Sequence, residues 1–569
     1  MAATQQQHAG AASHATLTGI RPAGDRAILV ELSSLEAVLS LQAQLTAHPQ
    51  PGQVDVIAAA ETVMITVDSP DAARALASHV RGLDLEAPAE TKSTLVTIDV
   101  VYDGEDLDEV AALTGLGREG VVAAHTGQLW TAAFAGFAPG FAYLTGENPS
   151  LEVPRRRSPR TAVPAGAVAL GGAYSAVYPR QSPGGWQLIG RTDAAMWDLS
   201  RENPALIRPG DTVRFDAVRA QATVTEPPKT AASQTASEHQ GAGEQAGLAV
   251  RKPGLQATVQ DQGRPGYASL GVTSAGAMDR GALRRANRLV GNAEDAAGIE
   301  LLFGGLELEA FEDQVLAVSG AAVPLEITTG VTTDGEAAQR ATAARHPACD
   351  APFALLAGEK LTIGNPTAGL RSYIGVRGGL GGPQALGSRS TDTMSGIGPE
   401  PLQAGTILPV KTPKPGSVVG YPEISLLPNQ GGATVLRVVP GPRQDWFSTE
   451  TLQKFLDQEW TVTPQSNRIG LRLNGQALTR SRDGELASEG TVRGAVQVPP
   501  EGQPVLFLSD HPVTGGYPVV AVVVHADLDK AAQLPPGTTV RFTAAAAQAE
   551  PIAAPQAEQL ETPKESFHA

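Results

Sequence analysis

At 569 residues the chain is too long for one hydrophobic core, and about three to five domains are expected. With 59 acidic against 43 basic residues and a formal charge of -16, it is poorly suited to nucleic acid or an anionic membrane. A single cysteine, Cys349, excludes an intramolecular disulfide and a thiolate metal cluster.

Residues 1–15 have neither a basic start nor the apolar centre of a signal peptide, and read as a disordered lead. No run reaches the roughly 18 apolar residues of a membrane span, so a cytoplasmic location is expected. From Thr16 to about residue 90, strand-like TLTGI, AILVEL, VDVIAAA and TVMITVD alternate with two helices, one capped by Ser34 and one opening near Pro70. This reads as a small α/β domain.

Residues 91–220 begin with a strand, LVTIDVVY, and two short helices in DLDEVAALTGL and GREGVVAAHTG. Beyond Leu129 the text is a series of short apolar runs broken by Gly and Pro, which suits a small closed or nearly closed barrel. Residues 221–247 are rich in Ala, Ser, Thr, Gln, Gly and Glu without periodicity and read as a flexible linker.

The second half divides at about residue 415 into two further modules, 248–415 and 416–545, ahead of a disordered tail, 546–569. Asp279 to Val290 reads as a helix capped by Asp279, with Leu283, Ala286 and Val290 on one face and Gly291 to end it. Asn287 shares the buried side and must find a hydrogen-bond partner.

The chain repeats itself. VPAGAVAL, SPGGWQLIGRT, WDL and IRPGDTVRF in the first half return in order as VRGAVQVP, HPVTGGYPVVAVV, ADL and LPPGTTVRF in the last block, which points to two copies of one β-barrel module. A third, fainter copy is read around LLAGEKLTIG. The fold class is therefore mainly β, with an α/β N-terminal domain and multiple barrel modules.

Candidate chemistry follows the repeat. In Ser182-Pro183-Gly184-Gly185 and Thr514-Gly515-Gly516, the hydroxyl and the glycine N–H groups form either an oxyanion or phosphate cradle or a plain hairpin turn. Arg191 ends the first copy. Asp510 and His511 precede the second, where His511 is either structural or an acid–base group. Asp261 and Arg264 in QDQGR either pair across a turn or leave Arg264 to grip a carboxylate or phosphate. Arg155, Arg156, Arg157 and Arg160 form a basic run, either a solvated loop or a neutralising patch for an anion. No P-loop, HExxH, CxxC pair or biotin-attachment motif occurs, and no metal site is expected.

GFAPGFAYL, PRTAVPAGAVAL and SPGGWQLIGRT resemble the B subunit of 5-oxoprolinase, the KipI or allophanate-hydrolase subunit 1 family. GLQATVQDQGRPGY, GAMDRGALRRANRLVGN, LASEGTVRGAVQVPPEGQPVLFLSD and TGGYP resemble the C subunit, the KipA or allophanate-hydrolase subunit 2 family. The resemblance spans roughly residues 16–545 and looks like a B–C fusion. It implies cyclophilin-like barrels and a part, with a LamB/YcsF-type A subunit, in ATP-dependent opening of 5-oxo-L-proline to L-glutamate; a homo-oligomer stays open. Two other readings also stay open: the carboxyltransferase part of a urea carboxylase or amidolyase system, and a regulatory binder of a histidine kinase. The sequence departs from the family where relatives often have Ala-Gly-x-Gln-Thr-Gly: Gly171 to Ala176 place Tyr174 at the Gln. Likewise Val519 stands where relatives of the C subunit often have Lys.

Overall fold

A computed structural model describes residues 17–85, 93–156, 158–219, 244–329, 344–428, 431–482, 484 and 486–545. The expected lead and tail, and most of the expected linker, lie outside the described residues. The linker's last residues, from Glu244, are already in a strand.

The N-terminal unit is a four-stranded antiparallel sheet, β1(Leu17–Pro22), β2(Ala27–Leu32), β3(Gln53–Ala58) and β4(Thr62–Val67), in the order β1-β2-β4-β3. Helices α1(Leu35–Ala47) and α2(Pro70–Val80) accompany it, with Ser34 and Ser69 accepting from the N–H groups of Ala37 and Ala72. AILVEL is apolar without alternation because both faces of β2 are covered. Ile28, Val30 and Leu32 face the helices and the first barrel, whereas Ala27 and Leu29 pack with Phe507, Val519 and Val522 of the last barrel. The two halves are thus joined through this sheet.

The first barrel contains β5(Leu95–Val100), α3(Leu107–Thr114), α4(Gly117–Thr126), β6(Trp130–Ala135), β7(Ala142–Gly146), β8(Arg160–Val163), β9(Ala167–Gly171), β10(Tyr174–Val177), β11(Ser182–Gly184), β12(Gln187–Arg191) and β13(Thr212–Ala217). Seven of these strands run β12-β9-β10-β7-β6-β13-β5, and the mutual hydrogen bonds of Val101 and Arg191, 2.9 Å each, bring the ends of the sheet together. β8 and β11 form a separate two-stranded ribbon.

The middle module holds β14(Glu244–Pro253), β15(Gln256–Gln260), α5(Arg280–Leu289), β16(Gly298–Leu302), β17(Leu306–Ala310), β18(Gln314–Ala322), β19(Leu325–Thr329), β20(Pro352–Leu355), β21(Glu359–Ile363), β22(Ala368–Val376) and β23(Ile407–Lys411). Its strands make two five-stranded sheets, β19-β21-β17-β14-β23 and β15-β16-β22-β18-β20, around one apolar interior. This order differs from that of the barrels, so LLAGEKLTIG, which supplies β21, is not a third barrel copy. Asp279 caps α5 through the N–H of Ala282, and Asn287 donates to the carbonyl of Ala296 at 2.7 Å.

The last module contains β24(Thr434–Pro440), α6(Thr449–Asp457), β25(Glu459–Val462), β26(Gly470–Asn474), β27(Glu489–Gly490), β28(Ala495–Gln497), β29(Val505–Phe507), β30(Thr514–Gly515), β31(Val519–Val523), α7(Leu528–Ala532) and β32(Thr539–Ala544). It closes as β24-β31-β28-β29-β26-β25-β32, with a ribbon of β27 and β30. Taken in chain order, this is the strand plan of the first barrel, ribbon included. The parallel pair β13 and β5 matches the parallel pair β32 and β24. The repeat extends inside: Trp130 and Trp460 each donate to the carbonyl of the residue five before it, His125 and Phe455. Those two rings in turn lie 4.4 Å from Phe215 and 4.7 Å from Phe542.

His125 is therefore a polar residue at an apolar core position. It is wholly buried, with Tyr102 Oη 2.7 Å from Nδ1 and Ser175 Oγ 2.9 Å from Nε2. Burial pushes its pKa down to about 3. The unfolded chain binds this proton near pH 6.5 and the folded chain does not, so stability is complete above pH 6.5 and falls as the pH drops towards 3. The loss should be about 2 kcal/mol at pH 5. Melts of the wild type and His125→Gln between pH 7 and 5 test this. The variant should lose one proton's worth of pH dependence, and an unchanged slope would contradict it.

Among the described residues, no helix is long and apolar enough to cross a membrane.

Candidate functional site

The two repeated ribbons converge behind one cleft of about 820 Å³. The α/β unit contributes Ser33, Ser34 and Glu61 to its walls, the first barrel Phe134, Tyr143, Arg155, Arg156, Gly171, Gly172 and Tyr174, and the last module Leu486, Ala487 and Ser488. The first ribbon acts by support. The Arg156 N–H donates to the Gly185 carbonyl at 2.7 Å, and the Arg155 guanidinium lies 5.8 Å from the centre of the Trp186 ring. A side chain at Gly171 would run into that ring, its Cβ 2.7 Å away, and one at Gly184 would fall 2.3 Å from the Tyr178 hydroxyl. These glycines are required by close aromatic packing, and the cleft walls do not include Ser182, Gly184 or Gly185.

The second ribbon does the same for the opposite wall. Gly516 lies under the Leu486 carbonyl, 3.3 Å from where a Cβ would stand, and Gly515 is crossed by the Gln497 amide. Thr514 is buried in the ribbon, paired with Gly490. Ser182 is buried likewise, and its Oγ has no hydrogen-bond partner.

The cleft is cationic and aromatic. Tyr143 is buried close to Ser488 and Arg155; burial raises its pKa although Arg155 opposes this. Tyr174 meets the rings of Phe134 and Tyr143 at 78° and 87°, at 5.7 and 5.3 Å. Arg156 Nη1 donates to Asp106 at 2.6 Å, as Arg160 does at 2.8 Å. Burial resists ionisation of Asp106, but hydrogen bonds from Arg160 and the Leu188 N–H outweigh it and hold the carboxyl below its ordinary range. Arg156 Nε is left without a partner. Of the basic run, Arg155 and Arg156 thus face the cleft, Arg160 anchors Arg156 through Asp106, and Arg157 lies outside the described residues. Ser33 and Ser34 add the start of α1.

The other sequence candidates lie elsewhere. Arg191 is exposed at the seam of the first barrel and pairs with Asp103 at 3.0 Å. Asp510 is fully buried and accepts from Arg468 Nε and Nη2, both at 2.9 Å, and from the N–H and Oγ1 of Thr393 at 2.9 and 2.7 Å. His511 turns the other way, stacks on Phe507 and lines a second cavity; burial lowers its pKa to about 4. Asp261 and Arg264 do not pair with each other. Asp261 accepts from Ser388, Ser390 and the Arg389 N–H, each at 2.6 Å, while Arg264 donates to the carbonyls of Ser390 and Ala385. Together they clamp one loop of the middle module.

Comparison with known proteins fits this division. The carboxyltransferase domain, subdomains C and D, matches residues 18–207, and subdomains A and B match residues 270–544. The chain belongs to the 5-oxoprolinase/urea-amidolyase carboxyltransferase family. Its two halves follow two separate members. The C subunit of the 5-oxoprolinase of Escherichia coli (strain K12) is 36% identical over 298 residues, covering 52% of this chain and 90% of that protein. The B subunit of the 5-oxoprolinase of Escherichia coli O157:H7 is 37% identical over 203 residues, 34% of this chain and 92% of its own. The family member is thus a fusion, with the B-type half first and the C-type half second. The urea amidolyase of Lachancea kluyveri is 31% identical over 321 residues, only 16% of that much longer protein. The crystal structure of TTHA0988, at 33% identity, superposes with a TM-score of 0.77 over 91% of this chain and 99% of that one.

Proposed function

We propose that this protein is the joined B–C component of an ATP-dependent 5-oxoprolinase, opening 5-oxo-L-proline to L-glutamate with a LamB/YcsF-type A subunit, and that the cleft between the halves is its working site. The observation that carries this reading is the cleft's composition. It is walled by both halves, and its volume lies in the range of ligand pockets. A lactam is a weak electrophile; when bound, ATP supplies the activation, its γ-phosphoryl group passing to the amide oxygen so that water can open the ring, with ADP, phosphate and L-glutamate as products.

The residues fit such a ligand pair. Arg155 and Arg156, both in the cleft wall, suit phosphate or carboxylate oxygens because a guanidinium offers paired donors. Tyr174, in the cleft wall beside Phe134 and Tyr143, offers aromatic surface to a planar ring. The first turn of α1 adds N–H groups and the positive end of a helix dipole. Closing the cleft from both halves would exclude water from the activated amide.

The test mixes purified full chain with its A subunit and follows glutamate formation from 5-oxoproline. Glutamate is expected only when ATP and both proteins are present. Absence of glutamate, with carboxylation of urea supported by a biotinylated carrier domain instead, would reassign the chain to the carboxyltransferase reaction that its family description names.

A further inference from the structure

A second cavity, of about 420 Å³, lies where the α/β unit, the middle module and the last barrel meet, at the other end of β2 from the cleft. Arg26 enters it from the turn before β2, Arg280 and Arg284 from α5, and Arg493 from the loop before β28. The Nε atoms of Arg26, Arg280 and Arg493 are removed from solvent and have no hydrogen-bond partner. Arg493 Nη2 donates to the Met278 carbonyl and Arg280 Nη2 to that of Ala275 at 3.2 Å, which fixes both guanidinium groups without neutralising them. Among the described residues, none of the four forms an ion pair.

Among the described residues, the nearby carboxylates make no contact ion pair with these groups, although the Asp529 charge favours the charged forms of Arg280 and Arg493. Asp25 accepts from the His525 N–H at 3.1 Å, and Asp55 from the N–H groups of Gly266 and Ala268 at 3.0 Å. Asp529, beside the cavity, accepts from the N–H groups of Arg280 and Gly281. Asp68 is the remaining acidic group. Burial, then the Arg493 charge, lowers the Arg280 pKa to about 9. Guanidinium groups that are fixed in place, repel one another and line one cavity are a favourable setting for an anion.

We propose that this cavity binds a small phosphate-bearing dianion, separately from the ligands of the cleft. Such a ligand meets the guanidinium groups that line the cavity and joins the α/β unit, α5 and the last barrel across their common junction, so its binding stabilises the assembled chain.

Calorimetric titration of the full chain at low salt, with inorganic phosphate, pyrophosphate and glutarate as separate probes, tests this. Saturable binding of phosphate or pyrophosphate is expected, weakening at least tenfold in Arg493→Met and in Arg284→Gln, with a melting temperature raised by ligand in the wild type only. Each variant is compared with its own unliganded melt, because Arg493 also donates to the Met278 carbonyl. If Arg493→Met fails to fold, Arg284→Gln carries the test alone. No saturable binding of any probe, or equal binding in wild type and variants, overturns the proposal. Binding of glutarate without phosphate overturns the phosphate class. Glutamate formation by the wild type and its A subunit is scored independently, so failure here leaves the cleft reading intact.

Discussion

Arg468→Met is expected to destabilise the protein by about 3–5 kcal/mol, the cost of breaking a buried ion pair from one side. Arg468 is 2% exposed and lies between Asp510 and Glu300, which are 0% and 4% exposed. It gives Asp510 two hydrogen bonds of 2.9 Å, bonds Glu300 through Nη1, and donates to the Gly276 carbonyl at 2.7 Å. Glu300 also accepts from the Met278 N–H and the Tyr373 hydroxyl, at 2.8 and 2.9 Å. Methionine fills much of the same volume but leaves Asp510 dry and without a cation, and Glu300 with only the Arg371 guanidinium at 3.7 Å. Because Arg468 and Asp510 belong to the last barrel and Glu300, Gly276 and Thr393 to the middle module, the damage falls on the contact between them. Urea unfolding at pH 8 should show the loss. Arg468→Met combined with Asp510→Asn should recover part of it. A loss below about 1 kcal/mol would remove the network from the forces that hold the modules together.

The same network explains why neighbouring residues carried different meanings than their sequence suggested. Asp510 and His511 stand side by side in the chain, yet one is spent on Arg468 and the other faces the arginine cavity. The turn at Ser509 and Asp510 directs the two side chains to different sides. The repeat was legible because its turns depend on glycine and proline at fixed places, and each strand follows with a simple apolar run. Likewise Ser34, Ser69 and Asp279 announced their helices through local capping chemistry. The cleft and the cavity have no such local signal. Ser33, Arg155 and Ser488, or Arg26, Arg280 and Arg493, meet only after distant segments pack, and none lies in a motif that names its partners. The alternation in LLAGEKLTIG suits a strand in any antiparallel sheet, so it carried no information about barrel or paired sheets. AILVEL did carry more than strand propensity: its lack of alternation reflects a strand covered on both faces, the feature that joins the halves.

Arg155→Gln is expected to lower kcat/KM for ATP-dependent glutamate formation about 100-fold while leaving the melting temperature nearly unchanged. The size corresponds to one charge-assisted contact, about 1.5–3 kcal/mol. The side chain sits in the cleft wall over Trp186 and close to the buried Tyr143, so glutamine keeps a polar group there while losing the charge. Lysine restores charge without a planar fork, and Arg155→Lys should recover only a small part of the rate, because an ammonium cannot both lie flat on the indole and present paired donors. Arg118→Gln, which removes an exposed ion pair with Asp108 at 3.0 Å on the far surface of α4, should change neither rate nor stability appreciably. Equal activity in Arg155→Gln and wild type would take the basic run out of the site and return it to the role of a solvated loop. Full recovery by lysine would instead assign Arg155 a general electrostatic role, and the geometry set by Trp186, Gly171 and Tyr143 would then matter for packing alone.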